Sequence, residues 1–266
     1  MTKINIVLAG PRGKMGKEAI KMISNTESFH LAAVIDRKRD RENNDTKQSN
    51  GTAVYYDAKQ CFNEVKPNVF IDLTKPDVGF VHTKLALQHN IRSVVGTSGF
   101  SDKQINELSE IAAENKVGCI IAPNFALGAV LMMAFSKVAA TYFSDVEIIE
   151  KHHDQKIDAP SGTAVKTLEM IQKNRSSKKQ GHPDEYETID GSRGGDVDGI
   201  KVHSVRLPGL VAHQEVIFGG NSELFTIKHD SFHRESFMGG LKLAVEKVMD
   251  LDELIYGLEH VMGLDL

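Results

Sequence analysis

The stretch INIVLAGPRGKMG, residues 4–16, predicts how this chain begins to fold. Its first six residues are almost all apolar, which is typical of a parallel strand buried on both faces. Glycines follow at Gly10, Gly13 and Gly16, and apolar residues at helical spacing begin at Met15. A strand that passes through a glycine turn into a helix is the first unit of an α/β sheet.

The same alternation continues to about residue 125. Ile105, Leu108 and Ala112, for example, recur at helical spacing. Alternating strands and helices predict an α/β fold with a doubly wound parallel sheet. The further strand-like runs lie at 31–35, 69–73, 92–95 and 117–122.

The pattern changes after Asn124. A helical run at 127–142 precedes a polar stretch at 174–199 in which several glycines indicate loop. Strand-like runs then follow one another with short connections, which predicts an antiparallel or mixed sheet and hence a second domain. These runs are 200–207, 210–219 and 223–229, and a final helical pattern covers 237–249.

Composition argues against several classes of function. The chain has 266 residues and a net charge of −4, so no overall positive field favours nucleic acid or an anionic membrane. No apolar run approaches the length of a membrane span, and we find no signal-peptide core at the N-terminus. Cys61 and Cys119 lie far apart and outside any CxxC motif, which fits a reducing cytosol. We therefore expect a soluble, cytoplasmic protein.

The glycine turn departs from the G-x-G-x-x-G pattern of dinucleotide-binding loops, because its spacing is G-x-x-G-x-x-G and Arg12 takes the place of the middle glycine. Its context supports a nucleotide site. Asp36 ends the second strand 20 residues after Gly16, the usual offset for a carboxylate that binds an adenosine ribose. The alternative is a structural turn with a solvated acid.

The choice between the two nicotinamide dinucleotides stays open. Asp36 favours NADH, whereas Arg12, Arg37 and Lys38 favour the 2′-phosphate of NADPH. The rest of the segment 37–50 is interpreted as a surface loop. Two strand ends, DLTKPD at 72–77 and GTSGF at 96–100, are predicted to lie where open α/β sheets bind ligands.

A second candidate site lies in EKHHDQKIDAPSGTA, residues 150–164. His152, His153 and Lys156 would form a cationic patch, and imidazole and amine groups are the usual sources of the proton that accompanies a hydride. Ser161 is a predicted helix N-cap.

The helix that starts after Ser161 would present its first amides, and the Thr163 hydroxyl, to an anion. The cationic patch and the start of this helix together predict a pocket for a small acid with two negative charges. Arg234 lies before the last helix, where it would either bind a carboxylate or have a structural role at the junction between the domains.

Other interpretations of the cluster remain. Neighbouring histidines rarely reach one metal ion, and the nearby acids follow no familiar zinc spacing, so we predict no metal. A solvated, purely structural cluster is the second alternative. The acids in question are Glu150, Asp154 and Asp158.

These motifs resemble the 4-hydroxy-tetrahydrodipicolinate reductase (dihydrodipicolinate reductase) family of the diaminopimelate–lysine pathway, in the same order along nearly the whole chain. The most specific match is E-x-H-H-x-x-K-x-D-A-P-S-G-T-A at 150–164. GPRGKMG is similar to the family's glycine loop, GTSGF to its G-T-T-G-F, and APNFALG at 122–128 to its A-x-N-F-S linker.

The resemblance implies a Rossmann-like dinucleotide-binding domain (1–125 and 234–266) and a mixed α/β domain for substrate binding and tetramerisation (126–233). It also implies a homotetramer that uses NADPH or NADH, often both. The implied reaction reduces a cyclic dicarboxylate, 4-hydroxy-tetrahydrodipicolinate, to tetrahydrodipicolinate with loss of water.

The resemblance also assigns residues. His152 would be the proton donor and acceptor, and Lys156 the proton donor. His153, Gly162 and Thr163 would bind the substrate carboxylates, and the sequence patterns described above add Ser161 and Arg234 as candidate substrate-binding residues. The nucleotide contacts would be Gly10, Pro11, Arg12, Gly13, Lys14, Met15, Asp36, Arg37, Gly96, Thr97, Ser98, Ala122, Pro123, Asn124 and Phe125.

Some positions depart from the family pattern. Lys14 stands where arginine is common, Ser98 replaces a threonine, and Asp154 and Gln155 occupy positions that are often basic. The first two bear on cofactor preference and the last two on substrate affinity.

Two alternative functions were weighed against this one. Another two-domain dehydrogenase, such as an aspartate dehydrogenase, would share the glycine loop but does not explain the 150–164 motif. A nucleotide-sensing regulator should show a DNA-binding helix pair or a basic patch, and we find neither.

Overall fold

The computed structural model describes residues 3–37 and 51–264. These residues form two compact units. Unit 1 comprises 3–37, 51–125 and 237–263, and unit 2 comprises 126–236 with Leu264.

Strands and helices alternate through unit 1, whereas unit 2 groups most of its strands together. The strands are β1 (Ile4–Ala9), β2 (Phe29–Ile35), β3 (Ala53–Tyr55), β4 (Val69–Asp72), β5 (Arg92–Val95), β6 (Cys119–Ile121), β7 (Asp145–His152), β8 (Gly195–Val197), β9 (Ile200–Arg206), β10 (Ala212–Gly220), β11 (Glu223–Ser231) and β12 (Leu254–Tyr256). The helices are α1 (Lys14–Ser24), α2 (Ala58–Val65), α3 (Pro76–Gln88), α4 (Asp102–Asn115), α5 (Leu127–Ala139), α6 (Gly162–Gln172), α7 (Met238–Lys247) and α8 (Leu258–Val261), with 3-10 turns at Arg234–Phe237 and Val248–Asp250.

Within the described residues, unit 1 has a seven-stranded parallel sheet in the order β12-β6-β5-β4-β1-β2-β3. The chain adds strands outward from β1 to β3 on one side and from β4 to β6 on the other. The order therefore reverses between β1 and β4. A sheet of this kind leaves a crevice at the carboxyl ends of the two strands, and ligands bind there.

The central strands of unit 1 are buried because helices cover the sheet. Ile6, Val7 and Leu8, in consecutive positions of β1, are fully buried, so both faces of the strand are covered. Phe62 of α2 and Phe70 of β4 pack edge to face with ring centroids 5.2 Å apart. Burying each ring contributes about 1.5–3 kcal/mol to the stability of the core.

Local capping explains where several helices begin. Ser101 and Gln104 form a reciprocal capping box at the start of α4, and the Asp57 side chain accepts a hydrogen bond from the Gln60 amide at the start of α2. Pro76 occupies the first position of α3, where its missing N–H leaves no hydrogen bond unmade.

Over the fully described range 126–236, unit 2 has a five-stranded sheet in the order β11-β10-β7-β9-β8. The β7–β9 pair is parallel and the other pairs are antiparallel, so the sheet is mixed. Val146, Ile148 and Glu150 alternate along the buried face of β7, against which α6 packs. An acid therefore continues an otherwise apolar face.

The predicted fold class, a doubly wound parallel sheet with a second mixed α/β unit, is confirmed. We did not predict β12, a three-residue strand that pairs in parallel with β6. Nor did we identify β7 as a strand that runs into the 150–164 motif. The described ranges contain no helix with the length and apolar character needed to cross a bilayer.

Candidate active site

The loop between β1 and α1 depends on glycine at two positions. A Cβ at Gly10, whose φ is 85°, would lie 2.5 Å from the Leu73 carbonyl oxygen, and one at Gly16 would overlap the Gly10 carbonyl oxygen. Gly13 is the N-cap of α1. Close backbone approach beside a helix start is what a pyrophosphate requires, so this loop fits a dinucleotide despite its altered spacing.

Asp36 follows β2 and forms a two-pronged ion pair with Arg12 of the glycine loop. Arg12 Nε lies 2.7 Å from Asp36 Oδ2, and Arg12 Nη2 donates to Asp36 Oδ1 at 2.8 Å. The Arg37 amide also donates to Asp36 Oδ1, at 2.9 Å. The structure therefore brings together the acid that favours NADH and one of the cations that favour NADPH. Lys38 lies outside the described residues, as do residues 39–50 of the predicted surface loop.

A buried carboxylate ties together the loops that follow β4 and β5. Asp72 Oδ1 accepts hydrogen bonds from the Thr97 hydroxyl at 2.5 Å and from the Thr74 hydroxyl at 2.9 Å. The Thr74 amide donates to the same oxygen at 3.1 Å, and His82 Nδ1 lies 3.8 Å from Asp72 Oδ2. Asp72 is fully buried, so these contacts hold Thr97 in place at the edge of the crevice.

The loops after β5 and β6 also meet. A Cβ at Gly96 would lie 2.7 Å from both the Leu73 side chain and the Phe125 ring. The Gly96 amide donates to the Asp72 carbonyl at 2.9 Å, and the Ala122 amide to the Val95 carbonyl at 2.9 Å. Of the other predicted nucleotide contacts, Pro11 is buried, Met15 and Asn124 are half-buried, and Lys14, Ser98 and Pro123 are exposed.

In unit 2, Glu150 is the centre of a buried network. Its Oε2 atom accepts from His152 Nδ1 at 2.6 Å and from Arg206 Nη1 at 2.8 Å. Its Oε1 atom accepts from Arg206 Nη2 at 2.6 Å and from the Ser161 amide at 3.1 Å. Burial raises the pKa of Glu150, but hydrogen bonds from Arg206, Ser204 and His152 outweigh it and leave the pKa below its ordinary value.

His152 ends β7 with its side chain 15% exposed. Burial lowers the pKa of this imidazole, the hydrogen bond and the charge of Glu150 raise it, and the charges of Lys156 and Arg206 lower it again. The net pKa lies below its ordinary value of 6.5. His152 is therefore mostly neutral at neutral pH, the state in which an imidazole both accepts and donates protons readily.

The predicted cationic patch is paired with acids. Lys156 Nζ lies 2.7 Å from Asp158 Oδ1 and 2.8 Å from Oδ2, and the hydrogen bond from Lys156 lowers the pKa of Asp158. Glu150 pairs with Arg206 in the same way. Two cations thus face two carboxylates, so acids balance part of the positive charge beside the predicted cationic patch.

The start of α6 has the predicted cap. The Ser161 hydroxyl accepts from the Ala164 amide at 3.2 Å, and Gly162 is the first helical residue. A Cβ at Gly162 would have no atom within 4 Å, so the space beside the helix start is open. Amides in the first turn of a helix point out of its end and can bind an anion there.

The remaining predicted contacts lie in connecting segments. His153 is half-buried directly after β7, and Arg234 is half-buried in the 3-10 turn after β11. Arg206 was not predicted as a site residue; it lies beside His152 because the two residues are register partners in the β7–β9 pair. An arginine that ends a strand-like run was the available signal. Within the described residues there is no group of three or more potential metal ligands.

Comparison with known proteins gives consistent matches. Family models described as "Dihydrodipicolinate reductase, N-terminus" and "Dihydrodipicolinate reductase, C-terminus" match residues 4–125 and 128–262. The chain is 59% identical to 4-hydroxy-tetrahydrodipicolinate reductase of Bacillus licheniformis, over 97% of this chain and 98% of that protein. It is also 59% identical to the enzyme of that name from Geobacillus kaustophilus, over 97% and 99% of the two chains.

A solved structure agrees with these matches. Dihydrodipicolinate reductase from Paenisporosarcina sp. TG-14, with dipicolinate bound, is similar with a TM-score of 0.91 and 50% identity, over 97% of this chain and 99% of that one. Since the two family models together span nearly the whole sequence, this chain belongs to the dihydrodipicolinate reductase family.

Proposed function

We infer that the chain reduces 4-hydroxy-tetrahydrodipicolinate to tetrahydrodipicolinate, with loss of water, in diaminopimelate and lysine biosynthesis. It is an NAD(P)H-dependent oxidoreductase. Family membership over the whole chain supports the reaction. The structural observation that carries it is His152, held by a buried carboxylate beside an open helix start. This arrangement supports a proton-transfer group next to an anion site in unit 2.

The reaction takes up a hydride and a proton and releases water. When bound, the nicotinamide dinucleotide supplies the hydride. We assign His152 as proton donor and acceptor because its Nδ1 is held by Glu150, which leaves Nε2 for exchange. We assign Lys156 as proton donor; its carboxylate partner, Asp158, has a side chain 60% exposed, so substrate can replace it at little cost.

We assign the carboxylates of the substrate to the start of α6 and the residues around it. First-turn amides and a capped helix end stabilise negative charge, and charged donors add to this. The relative from Paenisporosarcina holds dipicolinate, a ring with two carboxylates, which supports a small dicarboxylate substrate here. The residues assigned are His153, Ser161, Gly162, Thr163 and Arg234.

We propose that both NADPH and NADH are accepted. Asp36 would bind the ribose hydroxyls of NADH, and Arg12 and Arg37 would bind the 2′-phosphate of NADPH. Arg12 and Asp36 are paired with each other. Binding of NADH would draw Asp36 to the ribose hydroxyls, and binding of NADPH would draw Arg12 to the 2′-phosphate, so either nucleotide can replace the ion pair. The other assigned contacts are Gly10, Pro11, Gly13, Lys14, Met15, Gly96, Thr97, Ser98, Ala122, Pro123, Asn124 and Phe125.

The wider organisation is also proposed. We assign residues 1–125 and 234–266 to dinucleotide binding and 126–233 to substrate binding and oligomerisation. We further propose a homotetramer, which a monomer mass in sedimentation equilibrium would refute. A cytoplasmic location is proposed because Cys61 and Cys119 are buried free thiols. Failure to recover the protein in the cytoplasmic fraction of its native cells would contradict it.

The test of the function is a steady-state assay with freshly generated substrate. The expected result is continuous oxidation of both NADPH and NADH that depends on the substrate. Titration of each nucleotide without substrate provides the binding control. Nucleotide binding without turnover would reject the reductase assignment and would favour a sensor.

A further inference from the structure

We propose that Glu150, neutralised by Arg206, is a positioning residue that sets the tautomer of His152 and the start of α6 at the same time. The inference rests on the proposed function, because it concerns how His152 and the carboxylate site are held relative to each other. It assigns a role to two residues that lie behind the reacting groups and do not touch the substrate.

The first observation is that the two carboxylate oxygens of Glu150 accept hydrogen bonds from different groups. Glu150 Oε2 accepts from His152 Nδ1 at 2.6 Å, and Oε1 accepts from the Ser161 amide at 3.1 Å. Ser161 is the N-cap of α6 and is 3% exposed. One fully buried side chain therefore fixes the distance between the imidazole and the helix start.

The chemistry of the carboxylate gives the tautomer. An ionised carboxylate only accepts hydrogen bonds, so the nitrogen at 2.6 Å must carry a proton. In the neutral ring, Nδ1 is then the donor and Nε2 has the lone pair. Protons enter and leave His152 at Nε2 because the Nδ1 proton is committed to Glu150.

Arg206 stabilises the buried negative charge of Glu150. It donates to both oxygens of Glu150, at 2.8 Å from Nη1 and 2.6 Å from Nη2, and a buried carboxylate without such a partner would be costly. Nη2 also donates to the Asp158 carbonyl at 2.8 Å. Because Asp158 pairs with Lys156, the same guanidinium also supports the loop that carries the second proposed proton donor.

The chain contains a matched control on the same strand. Glu147 accepts from Arg193 at 2.7 Å and from His203 Nε2 at 2.8 Å, so it too joins an arginine and a histidine. Glu147 lies on the opposite face of β7 from Glu150, since side chains alternate along a strand. Glu147→Gln removes an equivalent charge away from the proposed site.

The experiment compares Glu150→Gln and Glu147→Gln with the wild type. For Glu150→Gln, we expect kcat to fall about 10- to 100-fold, as when proton transfer is impaired, with the nucleotide dissociation constant unchanged. The charged groups that act on His152 are Glu150, Lys156 and Arg206. Loss of the Glu150 charge lowers the pKa of His152 further, so the limb of the pH–rate profile due to His152 moves to lower pH. Glu147→Gln should leave that limb in place.

A second readout does not depend on turnover. In ¹⁵N-histidine NMR spectra, with His152 assigned by comparison with His152→Gln, the wild type should show the Nδ1–H tautomer. Glu150→Gln should show a smaller share of it, because a glutamine side chain can donate to Nδ1 as well as accept from it. An Nε2–H tautomer in the wild type would overturn the proposal even if Glu150→Gln failed to fold. So would an unchanged kcat and pH profile in a folded Glu150→Gln. Absence of turnover in the wild type would instead reject the proposed function and leave the tautomer test valid.

Discussion

At the scale of single residues, the ion pair between Arg12 and Asp36 bears on the choice between NADH and NADPH. Their two-pronged contact, with the closest atoms 2.7 Å apart, satisfies both charged groups. Asp36 suits a ribose with free hydroxyls, because a carboxylate accepts their hydrogen bonds, and Arg12 suits a ribose with a 2′-phosphate, because its charge is opposite. Acceptance of both nucleotides follows if either member of the pair can turn to its own ligand.

Substitutions at this pair should separate the two nucleotides. Asp36→Ala is expected to raise KM for NADH about 10-fold more than KM for NADPH, because a charged hydrogen bond to the ribose is lost. Arg12→Ala should have the reverse effect. Steady-state kinetics with each nucleotide measures the ratio. Equal changes for both nucleotides in both variants would contradict the assignment.

The residue types of the 150–164 motif could be predicted from the sequence, but not their pairing. His152, Lys156 and Ser161 stood out because imidazole, amine and helix cap occur together within 15 residues. The partnership of Glu150 with Arg206 depends on the β7–β9 register, which places Arg206 beside His152 across 54 residues of chain. No local pattern encodes that register.

At the scale of elements, strands buried on both faces were the most predictable. β1 was predicted with its observed limits, since a continuous apolar run followed by a glycine turn has few other interpretations. β12 was missed because it is three residues long and half-exposed, and because it is a strand by virtue of its pairing with β6, in which Leu254 lies opposite Cys119. Its strand structure comes from a distant neighbour and not from its own sequence.

Two glycines at helix starts should respond differently to the same substitution. Gly16→Ala is expected to destabilise the protein by at least about 1 kcal/mol, because the new Cβ overlaps the Gly10 carbonyl oxygen. Gly162→Ala should leave Tm nearly unchanged, since its Cβ would meet no atom within 4 Å. It should instead raise KM for the dicarboxylate, because the methyl group enters the proposed anion site.

Thermal unfolding and substrate kinetics together test this contrast. Each variant serves as the other's control, because both replace a glycine near a helix start by alanine. A large loss of Tm in Gly162→Ala, or an unchanged Tm in Gly16→Ala, would show that the packing at these turns has been misinterpreted.

At the scale of the whole molecule, unit 2 depends on ionised carboxylates. The pKa values of six of its acids lie below their ordinary values because of hydrogen bonds and positive charges from neighbours, although burial opposes this in Glu147 and Glu150. A carboxyl group whose pKa is lower in the folded state stabilises that state above its ordinary pKa and ceases to do so as pH falls. The six are Glu147, Glu150, Asp158, Glu187, Asp196 and Asp230.

The stability of unit 2 should therefore fall as the pH drops below about 4.5, the ordinary pKa of a glutamate. Hydrogen exchange of peptides from 126–236, corrected for the intrinsic rate at each pH, measures this loss of protection. In Glu147→Gln the decline should be shallower, because one of the contributing groups no longer titrates. Constant protection between pH 7 and pH 3.5 would show that these pairs contribute little to folding.

The central claim is that His152 and Lys156 carry the proton transfer of a dicarboxylate reductase, and kcat of the double variant His152→Ala/Lys156→Ala tests it most directly. Lys151→Ala/His203→Ala, which removes the same chemical groups from the opposite face of the sheet, is the matched control. We expect kcat of the first variant to fall about 100-fold or more, with unchanged nucleotide binding, and kcat of the control to stay near the wild-type value. Near-normal turnover in the first variant would contradict the account.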